Sequence, residues 1–448
     1  MKVSEARDYY HGLLERHLDS TVELLHRGSL ENGLYFGSRS VCTVLRPYFI
    51  DRETYAFVKR ASELVMRAVA RLGELLLTEA ELRRELDLEP QEEAVALIPS
   101  GFGNPDVSAR LDGFLAPEGE FYFVEYNAES PGGLAYGDVL AEIFMQMPVM
   151  KEFCDRYKCS IFPVRERVYE NLIAAYHRWG GHDLPNIAIV DWSGVSTYSE
   201  FVLMKKRFEE RGCKVVICDP DELEYRNGRL YREDFCIDLV YKRVIIGELL
   251  TRKGIDHPIF QAARDRAVCV SNGMGVQMLY KKAMFALLSD PVFSAQLGLD
   301  DELAAACNKY IPWTRKLRSC KTKYGDKEVD LVEFTFENKE RLVLKPNGEY
   351  GGKGVVLGWE ASDELWKDTV KEALDGASYL VQERVPLGRD IYPSYIDGKL
   401  VFDERYVDID PYVWNGTQIE GAGIRLSKLA LLNVSAGGGS ATPLVVLE

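Results

Sequence analysis

The sequence predicts a mixed α/β and α+β chain built from two or three packed subdomains. Three observations predict it. Apolar residues recur at helical spacing through the first hundred positions. Strand-like and helix-like segments alternate between about 185 and 275, as in parallel-sheet units. The remainder is rich in short β segments joined by Asn-Gly, Asp-Gly and glycine-rich turns. A length of 448 residues suits that number of subdomains. With 46% hydrophobic and 28% charged residues, the composition leaves ample core material and no disorder signature.

Residues 1–100 form an N-terminal helical region. Leu13, Leu14, His17, Val22 and Leu25 fall at roughly helical spacing. Leu64, Val65, Val69, Leu72 and Leu76 line one stripe of a longer helix between Phe57 and Leu77, a pattern that marks core. Residues 101–184 begin with two short strands, VSARLDGFL and EFYFVEYN, around a turn near Pro117–Gly119, with helices after them. Residues 185–275 read as a Rossmann-like substrate domain. The strand NIAIVDW precedes a helix closing on Gly212, and the strands KVVICDP and IDLVYKR flank a hairpin with a type I′ turn at Asn227-Gly228. No GxGxxG fingerprint is present, so NAD binding is not supported. In residues 276–448, RLVLKP and KGVVLGW are strands around a glycine-rich loop. A helix capped by Ser362 follows, then the strand YLVQERV and a hairpin across Asp397-Gly398.

Bulk charge and cysteine usage exclude several classes. The formal net charge of -15 argues against non-specific nucleic-acid binding, which needs a basic surface. Nine scattered cysteines without a CxxC pair suit reduced thiols in a cytoplasmic protein better than a disulfide framework or a zinc site. Cys154 and Cys159 are near one another, but that spacing argues against a shared metal. The N-terminal segment has no apolar core of the signal-peptide kind, and no apolar run is long enough to span a membrane. The six histidines show no ligand spacing, and no serine sits in a GxSxG elbow.

The glycine-rich segment LVLKPNGEYGGKGVVLG suits phosphate binding. Glycines, Gly351 and Gly352 among them, let backbone N–H groups approach phosphate oxygens without a Cβ in the way. Lys345 leaves the preceding strand and Lys353 sits in the loop, so two cations could neutralise a nucleotide's α- and β-phosphates. No GK[ST] follows, so this is not a Walker A loop. A flexible hairpin with exposed lysines is the plain alternative. Downstream, an apolar strand ends in Gln382 and Glu383, which can offer polar groups to adenine and ribose.

The two strands around Pro117–Gly119 carry a second constellation. Arg110 and Asp112 share one strand face, and Glu125 and Asn127 share another. With a two-residue turn at Glu118-Gly119, Asp112 faces Glu125 and Arg110 faces Asn127. Three hard oxygen donors then converge as Mg²⁺ requires, with Arg110 beside them for a developing phosphoryl charge. Ala-Pro-Glu-Gly also fits a three-residue turn, which shifts the register by one and needs a further bulge to restore convergence. A solvated charged face is the structural alternative.

These motifs carry a family resemblance. LKPNGEYGGKGV followed by a helix and LVQERV resembles the nucleotide half of an ATP-grasp enzyme, the loop as phosphate lid and Gln382-Glu383 as adenine hinge. R-x-D followed by E-x-N-A-x-S-P resembles the glutathionylspermidine synthase-like group. The resemblance implies phosphate and substrate contact for Arg110, magnesium for Asp112, Glu125 and Asn127, and a substrate-lining role for Ser130. Gly132 stands where a second serine often follows, which bears on the substrate and leaves the ATP chemistry untouched. YKKAMFALLSD resembles the segment supplying the first ATP lysine, best matched by Lys282. GIRLSKLALLNVSAGGG resembles the closing segment, whose arginine, Arg425, meets the acyl phosphate. Glu125 precedes Lys345 by 220 positions, the reverse of the ordinary ATP-grasp order, which implies a circularly permuted fold. An N-terminal amidase domain is not expected.

The expectation is a cytoplasmic, ATP- and Mg²⁺-dependent ligase. It would join a small-molecule carboxylate to an amine through an acyl phosphate, with ADP released and no nucleic-acid or membrane partner. An ATP-dependent phosphotransferase and a non-catalytic nucleotide-binding protein are the alternatives.

Overall fold

The computed structural model describes residues 2–432 and 439–448. A six-stranded antiparallel sheet lies at its centre. Two strands come from the first third of the chain, Ser108–Leu115 and Phe121–Asn127. The others are Arg389–Ile396, Lys399–Trp414, Gln418–Ser427 and Gly439–Ala441. The two groups meet where Tyr412 pairs with Arg110 and Trp414 with Ser108. Alternation along these strands therefore puts residues from distant parts of the sequence on one face.

The hairpin Ser108–Asn127 uses the three-residue turn. Ala116 N–H donates to Glu120 O at 2.8 Å, and Gly119 takes a φ of 93°, open to glycine because it has no Cβ. Alone, that turn would put the two carboxylates out of phase. One extra residue, Val124, restores the phase. Gly113 pairs with Phe123, whereas Asp112 pairs with Glu125 and Arg110 with Asn127. At Gly113 a Cβ would come within 2.6 Å of the Phe121 ring and 2.9 Å of the Tyr122 carbonyl oxygen. The bulge thus depends on a glycine there.

A smaller sheet holds the glycine-rich segment. Its order is Thr314–Lys316, Tyr379–Glu383, Leu342–Pro346 and Val356–Leu357. The segment KGVVLGW contributes only the two-residue strand Val356–Leu357. The helix Asp363–Leu374 begins with the Ser362 hydroxyl accepting from Leu365 N–H at 3.1 Å. Trp366, Val370, Leu342, Leu344 and Val381 form a core separate from the main one.

A parallel four-stranded sheet occupies the segment of alternating strands and helices, in the order Cys269–Ser271, Leu239–Lys242, Asn186–Val190, Lys214–Cys218. At the N-terminus the helix Arg52–Thr78 buries its whole expected stripe, while Val3–Glu31 buries Leu13, Leu14 and Leu25 but leaves Val22 and His17 half-buried, the latter at a break in helical geometry. Between them runs a strand that periodicity does not reveal, Tyr48–Asp51, parallel to Leu444–Leu447. Four residues are too few to show alternation, and the partner lies at the far end of the chain. Among the described residues no helix is long and apolar enough to cross a membrane.

Candidate active site

A cleft of about 620 Å³ opens between the central sheet, the smaller sheet and the ends of the parallel strands. Arg110, Asp112, Glu125, Asn127, Ser130, Lys345, Gly351, Gly352, Gln382, Glu383 and Arg425 all line it. Lys282 does not line it: it lines a small adjoining pocket together with Glu125 and Lys345, and pairs with Glu125 at 3.0 Å. Lys353 is not brought in: it is 75% exposed and paired with Glu349 at 3.0 Å. Arg425 belongs to the C-terminal segment likened to the family's closing element; residues 433–438 of that segment lie outside the described residues.

Asp112 is the hub of the hairpin face. Arg110 grips it with two bonds, Nε to Oδ1 at 2.7 Å and Nη2 to Oδ2 at 3.0 Å, and Nη1 donates to Gly132 O at 2.6 Å. Arg425 donates to Asp112 Oδ2 at 2.7 Å from the other side. Two carboxylates that motif matching missed complete the cluster. Arg425 Nε lies 2.8 Å from Asp408 Oδ2 and 2.9 Å from Asp410 Oδ2. Both aspartates are fully buried. Their signal was present as the alternation Asp408-Ile409-Asp410, which puts them on the face that carries Tyr412, the residue opposite Arg110.

Electrostatics divide these carboxylates. Burial works against the ionised form of Asp112, but Arg110 and Arg425 outweigh it and hold its pKa down at about 2. Burial pushes Asp408 up to about 6 in spite of Arg425, and pushes Asp410 well above the ordinary carboxyl range. On the opposite wall, burial draws Lys345 down to about 8 although Glu125 attracts its charge, and Lys282 adds to the lowering. Lys345 Nζ donates to the carbonyl of Val124, the bulge residue, at 3.0 Å.

The glycine-rich loop is folded over the cleft by specific contacts. Tyr350 OH donates to Glu248 Oε1 at 2.7 Å, and Tyr280 OH donates to Gly348 O at 3.0 Å. At the strand end, Gln382 Nε2 donates to Thr314 Oγ1 at 3.0 Å, while the Glu383 carboxylate accepts from Tyr324 OH at 2.6 Å.

Asp112, Glu125 and Asn127 supply two carboxylates and an amide on one face, a donor set that fits a hard divalent cation completing its shell with phosphate and water. Among the described residues no group of three or more His, Cys, Asp or Glu is arranged around a common cation position. The carboxylates are instead held by Arg110, Arg425 and Lys282, cations that phosphate oxygens can take over.

Buried residues behind the cleft fix this geometry, and no motif announced them. Asn272 Oδ1 accepts from Val107 and Ser108 N–H at 2.9 and 3.0 Å. Its Nδ2 donates to Ser108 O and Ala128 O at 2.7 and 2.8 Å, so one amide ties both ends of the hairpin. Lys242 and Glu129 form an ion pair at 2.8 Å that joins the hairpin to the parallel sheet.

No family model matches the chain. Two curated relatives do. A putative glutamate–cysteine ligase of Frankia casuarinae is 26% identical over 354 residues, covering 74% of this chain and 37% of the relative. A second, from Frankia alni, is 27% identical over 357 residues, covering 74% and 38%. The chain thus spans well under half the length of the relatives it matches. Among solved structures, a glutathione synthetase-like effector from Globodera pallida in its apo form superposes over 97% of both chains with a TM-score of 0.60 and 14% identity. At that identity the likeness concerns architecture alone, and the chain has the mixed α/β fold of a glutathione synthetase-like protein.

Proposed function

We propose that the chain is an ATP- and magnesium-dependent carboxylate–amine ligase of the circularly permuted ATP-grasp kind, similar to the glutathionylspermidine synthase group. It would form an amide through an acyl phosphate and release ADP and phosphate. The observation that carries this is the gathering of Arg110, Asp112, Glu125, Asn127 and Arg425 on one sheet face, with Lys345 in the same cleft and Lys282 paired to Glu125 from an adjoining pocket. The ligase names of the Frankia relatives support it, as does the fold shared with the effector. The permuted order is supported by the hairpin's pairing with strands that come after Lys345 in sequence.

Asp112, Glu125 and Asn127 would hold Mg²⁺, which neutralises phosphate charge. Lys282 and Lys345 bind phosphate oxygens of ATP. The Gly351-Gly352 backbone closes over them, and the strand end at Gln382-Glu383 borders the base. Tyr350, tied to Glu248, keeps the loop down and water out. Arg110 and Arg425 turn from Asp112 to the phosphoryl group in transfer, stabilising charge that develops as the substrate carboxylate attacks. An amine then displaces phosphate. Most of the catalysis is positioning and electrostatics.

The test is an ADP-release screen over amino acids, short peptides and polyamines. Release that requires both a carboxylate and an amine is the expected result. A stable phosphorylated product formed without an amine would make the protein a phosphotransferase, and absence of nucleotide binding would end the proposal.

A further inference from the structure

The parallel sheet ends in the cleft, at a place where its order reverses. The chain lays Lys214–Cys218 on one side of its first strand, Asn186–Val190, then crosses to the other side for Leu239–Lys242 and Cys269–Ser271. Loops leaving adjacent strands at such a switch point diverge and open a crevice outside the strands' C-terminal ends, where open α/β sheets bind ligands. Asp191 follows one of these two strands and Arg243 follows the other. Arg243 N–H donates to Val190 O at 2.9 Å, which sets the two residues side by side. Both line the cleft, and neither has a part in the nucleotide chemistry proposed above.

Their charges are opposite, yet no ion pair within 4 Å joins them among the described residues. The carboxylate nearest Arg243 is Glu200 at 3.8 Å, and Glu200 already accepts from Gly133 and Ala135 N–H. The Arg243 guanidinium, 4% exposed, is steadied by Pro131 O at 2.7 Å and Tyr241 OH at 3.3 Å. Asp191 Oδ1 accepts from Trp192 N–H at 2.8 Å, and among the described residues Oδ2 accepts no hydrogen bond. Burial pushes the Asp191 pKa up to about 6 against the pull of Arg243, as befits a carboxylate short of partners. Glu248, engaged by Tyr350 and Trp192, adds negative potential beside it.

A buried guanidinium and a half-buried carboxylate, held apart and facing one cleft, complement a zwitterion. We infer that this crevice binds the α-carboxylate of a free amino acid at Arg243 and its α-ammonium at Asp191. With both α-groups held, the group left for activation is a carboxylate on the side chain. Arg243 and Arg110 rest on the consecutive carbonyls of Pro131 and Gly132, so a short acidic side chain spans from one guanidinium to the other. The substrate class is therefore an acidic α-amino acid. Its place as a substrate rests on the ligase proposal, whereas its binding can be measured without it.

The probes are L-glutamate and L-aspartate, with the N-acetyl derivative and α-amide of each, titrated calorimetrically into the full chain with and without AMP-PNP and magnesium. At least one free acid should bind, and its N-acetyl and α-amide forms should bind at least tenfold more weakly. Asp191→Asn should weaken the free acid at least tenfold and abolish its advantage over the N-acetyl form. Derivatives that bind as well as the parent, no binding by either acid, or an Asp191→Asn variant equal to wild type would each overturn the inference. The derivative series on the unmodified protein decides the matter if the variant does not fold. The AMP-PNP titration reads the nucleotide site separately. An amino acid bound with this selectivity by a protein that ignores AMP-PNP upholds the crevice and removes the ligase proposal.

Discussion

Replacing Arg110 with alanine should separate binding from chemistry. The guanidinium is 13% exposed and makes two bonds to Asp112 and one to Gly132 O. Its removal leaves Asp112 with Arg425 at 2.7 Å, so the carboxylate is not stranded. The roughly 3–5 kcal/mol cost of an uncompensated buried charge is then avoided. A stability loss on the order of 1–3 kcal/mol, the scale of charged hydrogen bonds, is expected. Asp112 should rise from about 2 toward the ordinary carboxyl value, remain ionised at neutral pH, and have an oxygen freed. Magnesium and nucleotide affinity should therefore hold or improve. Turnover should fall about a hundred- to a thousand-fold, the cost of one lost transition-state donor. Calorimetry with AMP-PNP and ADP release at saturating ATP across a magnesium titration measure both quantities. Glu125→Gln should fail differently, with a raised magnesium requirement partly rescued by excess metal. Were Arg110→Ala to lose nucleotide affinity and regain it with added magnesium, the residue would act through the metal and the reasoning would be refuted.

Lys345→Ala removes one charge-assisted phosphate contact of about 1.5–3 kcal/mol, so AMP-PNP should bind roughly ten- to a hundred-fold more weakly in a folded variant; unchanged affinity by calorimetry would remove the residue from the phosphate site. The same lysine predicts a pH dependence. Its pKa in the free protein is depressed to about 8 and phosphate would raise it, so binding takes up a proton above that value. Affinity should be flat below pH 8 and weaken up to about tenfold per unit above it, and a flat profile through pH 9 would contradict the assignment. Deleting Val124 should leave a folded protein by circular dichroism whose hairpin carboxylates are out of phase; intact magnesium-dependent nucleotide binding would show that the bulge does not set the site. Trp366→Ala, at the centre of the smaller core, should cost about 3–5 kcal/mol locally. Calorimetric melting should then show an early transition with loss of nucleotide binding, and a single unshifted transition would deny that this core is separate.

Local signals were legible in the sequence where chemistry and backbone agree within a few residues. The stripes from Leu64 to Leu76, the Asn227-Gly228 turn and the Ser362 cap are such cases. The hairpin was legible only up to a choice. Its turn fits either two or three residues, and only the two-residue form gives convergence unaided; the three-residue turn and convergence coexist because Val124 absorbs the difference. Sequence spacing records neither the bulge nor the reason it falls at Gly113, which is the crowding by Phe121 and Tyr122. Asp408, Asp410 and Asn272 were missed for another reason. The alternation Asp408-Ile409-Asp410 puts the two aspartates on one strand face but not beside Arg425 and Gly113, which lie on other strands, and Asn272 has no local pattern at all.

The balance of charge in the cleft explains why those distant aspartates matter. Arg110, Arg425, Lys282 and Lys345 converge in a low-dielectric space, and their mutual repulsion would splay an empty site. Asp112 and Glu125 neutralise part of that charge, and Asp408 holds Arg425 from behind. Burial raises the Asp410 pKa well above the ordinary carboxyl value, although Arg425 lies beside it. Phosphate oxygens can then exchange places with carboxylates that are already paired, and no buried charge need be left alone at any stage. A site arranged this way is assembled before its ligand arrives, which is the condition under which fixed dipoles and charges stabilise a phosphoryl group in transfer.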